Sequence, residues 1–322
     1  IDNEKKSIKL TAEGGFSETK YINNPSNNAP KSLSDWFYDL SSSTHIKKKK
    51  IRFTLGVKDI GKNFRSPGAQ TKRINYSKSP GLYQQFTNNY VGRGVTYSDI
   101  ITGNAAASFK ISETLMAYNA AYSNTNPFGD ATPNRRGIYF HLEGLDSVKF
   151  KNSFIKCLLL QESVGTGTLE RKSFALTQMG TTILLNQFLN LKKTLKINLG
   201  LQNEFTLRGG EAYEQINLSS NFIDAGVSYE FIPKLNLLFG TKIWIAKGNE
   251  NLIIRDEFNT VNDFKPIDIN FSESIIAAGF KYDFDEKNTL TLQYQNFDLK
   301  NNSIDGIDYG ISEFNILYSL NF

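Results

Sequence analysis

The chain has 322 residues, with 37 Lys and Arg against 32 Asp and Glu, a formal charge of +5, and 39% apolar residues. No apolar run approaches the ~18 residues of a membrane helix, so a helical span is excluded, and the charge is too mild to point to nucleic acid as a partner. One cysteine, Cys157, excludes an internal disulfide framework and a multi-cysteine metal site; two histidines, His45 and His141, leave little material for zinc.

From Ser7 to Glu18, Ile8, Leu10, Ala12, Gly14 and Phe16 alternate with Lys9, Thr11 and Glu13, the period of a half-buried strand. Residues 19–47, rich in Asn and Ser and carrying Trp36-Phe37-Tyr38, read as a long connection. In the next strand Ile51, Phe53, Leu55 and Val57 face one way, and Arg52, Thr54, Gly56 and Lys58 the other. A charged stripe opposite an apolar one is what a lipid face opposite a wet interior requires, and such strands average to a low hydropathy. Residues 59–80 break the rhythm with Gly, Pro and scattered basic side chains, the signature of an irregular loop.

A third strand is expected within 82–96, and strand pairs follow: 104–111 with 115–123, then 137–145 with 151–164. A long element over 168–190, overhanging one membrane crossing, leads through Leu191-Lys192-Lys193 into 195–207. Residues 217–231 turn at Ile232-Pro233-Lys234 into 235–247, and 270–284 turn at 285–288 into 289–300. In the last stretch Phe314, Ile316, Tyr318, Leu320 and Phe322 share one strand face.

That ending resembles the C-terminal strand of bacterial outer-membrane barrels, with Phe322, an aromatic four residues earlier at Tyr318, alternation between them and an upstream Gly310. The resemblance implies that Tyr318 and Phe322 form the signal read by the barrel-assembly machinery. Composition, rich in Asn and Lys with 24 Phe and 2 Trp, resembles outer-membrane proteins of the Bacteroidota. Such bacteria carry barrels of this size as accessory subunits of the type IX secretion translocon. With no Met or leader at its start, the chain reads as a mature form whose export signal has been removed.

The expected fold is therefore one all-β domain over 1–322, a transmembrane up-and-down antiparallel β-barrel of about fourteen strands, or twelve if 82–100 is not a strand. Counting back from a last strand that runs towards the periplasm makes 19–47 extracellular, and likewise 124–136, 209–215, 249–269 and 301–308. It makes 59–80 a long periplasmic loop among tight turns. Phe64, Arg65, Lys72, Arg73 and Tyr76 make that loop a contact set, since Arg and aromatics dominate interface hot spots; it either docks a partner or plugs the interior.

No catalytic residue, metal or cofactor is expected. His141 and Glu143 share an inward face, as a general base with its carboxylate or, in the favoured reading, as an interior pair; no Gly-x-Ser-x-Gly turn accompanies them. Lys47 to Lys50 suits lipopolysaccharide phosphates or a solvated strand end. The inward charges mix both signs (Lys9, Arg52, Lys58, Glu204, Lys242 and Asp283 among them), a pattern of a bonded interior rather than a selective channel. The expected partners are outer-membrane lipid, lipopolysaccharide and a larger envelope protein. The resemblance thus implies a non-enzymatic partner or gating subunit of an export machine, with a free-standing porin or hydrophobic-solute channel as the alternative.

Overall fold

Where the alternation is unbroken, it is realised as strands. The computed structural model describes residues 6–20, 32–46, 50–66, 124–127, 129–144, 149–165, 168–255, 261–285, 288–303 and 308–320. They form β1 Lys6–Lys20, β2 Ser32–Ile46, β3 Ile51–Ile60, β4 Arg135–Glu143, β5 Phe150–Gln161 and β6 Ser173–Leu184, followed by β7 Leu195–Arg208, β8 Ile216–Ile232, β9 Leu235–Arg255, β10 Val261–Asp283, β11 Asn288–Asn301 and β12 Tyr309–Leu320. Each strand pairs antiparallel with the next, giving one twelve-stranded sheet in sequence order. The architecture is all-β, up-and-down and barrel-like. A single-turn helix, α1 Leu185–Leu189, interrupts the strands.

Four expectations change. Residues 19–47 are not one loop, because β2 runs through them and pairs with β1 from Lys20↔Ser32 to Lys6↔Ile46. Its period is hidden because Trp36 and Tyr38 face outwards while Phe37, between them, packs inwards on Phe64 at 4.8 Å between ring centroids. The extra strand reverses β3, so the chain leaves Ile60 at the end of the sheet that bears the long connections. The segment expected among the tight turns, 59–80, therefore begins at the opposite end, and its first two residues belong to β3.

The described residues form twelve strands, the lower of the two expected counts. β3 pairs directly with β4, from Ile60↔Arg135 to Arg52↔Glu143; the strands expected within 82–96, 104–111 and 115–123 lie outside the described residues. The long element at 168–190 is a strand ending at Leu184 and then α1, closed by Asn190 in the left-handed conformation (φ 51°). Its β-branched residues stop at Ile183, and Leu, Asn and Gln follow. The connection expected at 249–269 is mostly strand: β9 and β10 extend as a hairpin, with Asn251↔Pro266 and Ile253↔Phe264 in register. Pro266 is tolerated because β11 reaches only to Phe271, leaving β10 a single neighbour there.

The β8–β9 turn shows the local rule. Pro233 holds φ negative at its first position, so the left-handed residue falls on Lys234 (φ 72°). A turn of that hand does not match strand twist, and the register shifts between Glu230 and Ile232 to absorb it.

The two faces differ. On one, large apolar side chains stand exposed: Leu10 (79%), Trp36, Leu55, Ile138, Leu159, Leu201, Phe239, Ile276 and Ile316 (66%), at least one on nearly every strand. The opposite, inner face holds the buried groups, in three clusters near the long-connection end: Ile60, Phe64 and Ala131; Leu158, Leu160, Phe174 and Leu176; and Ile216, Leu218, Ala246 and Ile269.

Candidate functional site

The last part of the connection between β3 and β4 lies against the inner face. Asn124, Thr125, Asn126 and Thr132 are all buried, although none is apolar. A polar segment can be buried only if its main-chain groups find partners. Thr125 N–H donates to Glu204 Oε2 at 2.8 Å, and Thr125 Oγ1 donates to the Ala175 carbonyl at 3.1 Å. Thr206 Oγ1 donates to Asn124 Oδ1 at 2.9 Å. The segment is thereby tied to β6 and β7.

Arg135, the first residue of β4, holds it from the other side. Its Nε donates to the Thr125 carbonyl at 2.8 Å and its Nη1 to the Asn134 carbonyl at 3.2 Å, and the guanidinium carbon lies 3.6 Å from the Phe174 ring centroid. Lys58 Nζ donates to the Asp130 carbonyl at 3.2 Å, and Lys156 lies 3.5 Å from the Asp130 carboxylate. Glu204 has no exposed surface, and Gln202 Nε2 donates to its second oxygen at 2.5 Å. A buried carboxylate left without donors is costly, so Glu204 binds the segment and the segment satisfies Glu204.

The inner-face charges pair locally. Arg52 meets Glu143 at 2.7 Å, Lys281 meets Asp283 at 2.8 Å and Lys242 meets Asp224 at 3.8 Å. The interleaved signs expected from the sequence are present as bonded neighbours.

The residues singled out in the sequence fare differently. Phe64 is 4% exposed and packs with Phe37, Ile60 and Ala131, so its ring serves the chain's own packing. Arg65 is exposed; its N–H donates to Ser17 Oγ at 2.8 Å and its guanidinium to the Phe64 carbonyl at 2.9 Å. Lys72, Arg73 and Tyr76 lie outside the described residues. Tyr318 is exposed on the apolar face, its hydroxyl donating to Asn288 Oδ1 at 2.7 Å; Phe322 lies outside the described residues. His141 and Glu143 do share the inner face, but Glu143 is taken by Arg52. Asn124, Thr125 and Arg135 carry no signal in the alternation, since their role depends on β6 and β7, far along the chain.

Fold and site together define an up-and-down antiparallel, barrel-like β protein whose inner face is occupied by a segment of its own chain. No protein-family model matches it, and no curated protein is significantly similar to it in sequence.

Proposed function

We propose that this chain is a non-enzymatic outer-membrane barrel that acts as a partner or gating subunit of a protein-export machine, of the type IX kind that its composition resembles. The observation that carries the reading is the combination of an exposed apolar face with an inner face occupied by residues 124–127 and 129–134. An apolar surface spread over twelve strands is far beyond what a water-soluble monomer exposes, and lipid is its natural solvent. An even strand number leaves β1 and β12 antiparallel, so closing one on the other removes two long free edges. Lipopolysaccharide would surround the end bearing the long connections.

A fastened internal segment suits a subunit that opens in response to a partner better than a pore that stands open. The competing reading is a free-standing porin. It is favoured by the polar inner surface of β11 and β12, where Gln293, Gln295 and Glu313 bond one another.

The test is extraction from the native envelope in mild detergent, followed by bilayer recording. Unheated protein should migrate differently from boiled protein, a larger envelope protein should co-purify, and the isolated chain should conduct little. A chain that stays soluble without detergent defeats the membrane assignment. A large steady conductance with no partner selects the porin.

A further inference from the structure

Two features that stand apart in the sequence, the lysine run ending at Lys50 and the His141–Glu143 pair, meet in one place. Strand register puts His45, Arg52 and Glu143 side by side in one row across β2, β3 and β4. The next row, two residues along, holds Thr54, His141, Lys156 and Gln178 across β3 to β6. All point to the inner face, and adjacent rows lie roughly 7 Å apart. Between them is a cavity of about 660 Å³ at the tight-turn end, lined by both histidines, Lys50, Arg52, Lys156 and Glu143.

Gly144 brings Lys50 to this cavity. Its φ is +77°, and a Cβ there would lie 2.0 Å from the Lys50 carbonyl oxygen, so only glycine lets the β4 end approach the β2–β3 turn so closely. Phe154 closes the neighbouring wall by lying over Gly180, where a Cβ would be 2.6 Å from its ring. The first is a main-chain constraint and the second a ring laid on main chain, and together they hold the strands that carry the cationic groups close to one another.

The charge is lopsided. Lys50, Arg52 and Lys156 line the cavity with two imidazoles, and Glu143 is the one carboxylate among its described lining residues. Glu143 bonds Arg52 through Nη1, which orients the guanidinium and leaves its remaining N–H groups to donate elsewhere. Lys156 lies 3.5 Å from the carboxylate of Asp130, which is 82% exposed and a weak competitor. Fork-like Arg donors flanked by point-charge lysines and imidazole N–H groups match a tetrahedral dianion.

We infer that this cavity is a binding site for a phosphate-class dianion, free or as a small phosphate monoester, gripped by Arg52, Lys50, His141 and Lys156, with Glu143 positioning Arg52. The site rests on the sheet and its register alone, and stands or falls separately from the export reading. No bond is made or broken there.

The full chain in detergent is titrated with inorganic phosphate by calorimetry, in parallel with glycerol phosphate and acetate. One saturable site for phosphate is expected, with acetate at least tenfold weaker. Arg52→Gln and Lys156→Gln should each weaken phosphate roughly tenfold or more, the loss of one charge-assisted contact. Lys281→Gln, on β10, should change nothing, and unaltered heat-modifiable migration of each variant certifies its fold. Glycerol phosphate binding as well as phosphate places a monoester in the site; phosphate alone restricts it to the free ion. Equal affinity for acetate, no saturable phosphate binding, or equal weakening by Lys281→Gln would overturn the assignment.

Discussion

The internal segment should be released by one substitution, Arg135→Met. Methionine keeps a flexible apolar stem against Phe174 and removes the charge and all five donors. What is lost is the bond to the Thr125 carbonyl at 2.8 Å and the stacking of the guanidinium 3.6 Å from the Phe174 centroid; the bond to the adjacent Asn134 carbonyl at 3.2 Å goes too but ties no distant residue. The contact to the Asn124 carbonyl, at 3.4 Å, is too long to count for much. A charge-assisted bond contributes about 1.5–3 kcal/mol net and the stacking about 1 kcal/mol, so the segment should lose about 3 kcal/mol of local stability. At 1.4 kcal/mol per decade, that is roughly a hundredfold rise in its open population. Hydrogen exchange followed by mass spectrometry reads this directly. Peptides covering 124–134 should lose protection by that factor while β7 and β8 keep theirs. In a bilayer the same variant should conduct more often than the wild type. Unchanged protection over 124–134 would refute the idea that Arg135 fastens the segment; uniform loss over the whole sheet would make Arg135 a general stability residue.

Phe64→Ala should destabilise the chain by about 3 kcal/mol, because a buried ring packed on Phe37, Ile60 and Ala131 leaves a cavity; the temperature at which heat-modifiable migration is lost measures it. Deleting Phe322 should reduce assembled protein in the envelope far more than replacing Asn321 with Asp, and equal yields would remove the assembly role given to Phe322 and Tyr318. Replacing Arg65, Lys72 and Arg73 together with Gln should leave the sheet folded while weakening partner capture, or raising conductance if that segment obstructs the interior. If capture and conductance are both unchanged, those three side chains serve neither purpose.

What the sequence discloses depends on whether a strand's two faces differ in polarity. In β7, Leu199, Leu201, Phe205 and Leu207 alternate with Gly200, Gln202, Glu204 and Thr206, and its span is legible almost to the residue. In β2 both faces carry aromatics around Trp36-Phe37-Tyr38 and neither carries apolar residues over Ser41–Thr44, so the period vanishes. Missing that strand reverses the direction assigned to β3, which is how one hidden element moves a loop to the other end of the sheet. The inward charges are readable by parity, but their partners are not. That Glu143 belongs to Arg52 follows from register between strands separated by 91 positions. The fastening of Thr125 by Glu204 joins residues 79 apart, and nothing near either one announces it.

The overhanging hairpin has a consequence for how molecules of this protein coexist at high concentration. β9 pairs with β8 only as far as Asn249, and β10 with β11 only from Phe271, so among the described residues the ribbon above has just its own two strands. Residues 250–255, at roughly 3.3 Å each, carry it about 20 Å past its last contact with β8. Among the described residues no further strand pairs with either outer edge, and a bare edge is a ready template on which another copy could add strands and begin a polymer. Asp263, Lys265, Pro266 and Asp268 stand on one of those edges. A proline has no N–H to offer an incoming strand, and charges of both signs within six positions penalise any copy laid alongside in register. With no third strand to flatten it, the ribbon is also free to twist strongly, which shortens the straight edge available for templating. Its length can therefore be kept without inviting runaway growth of the sheet from one molecule into the next.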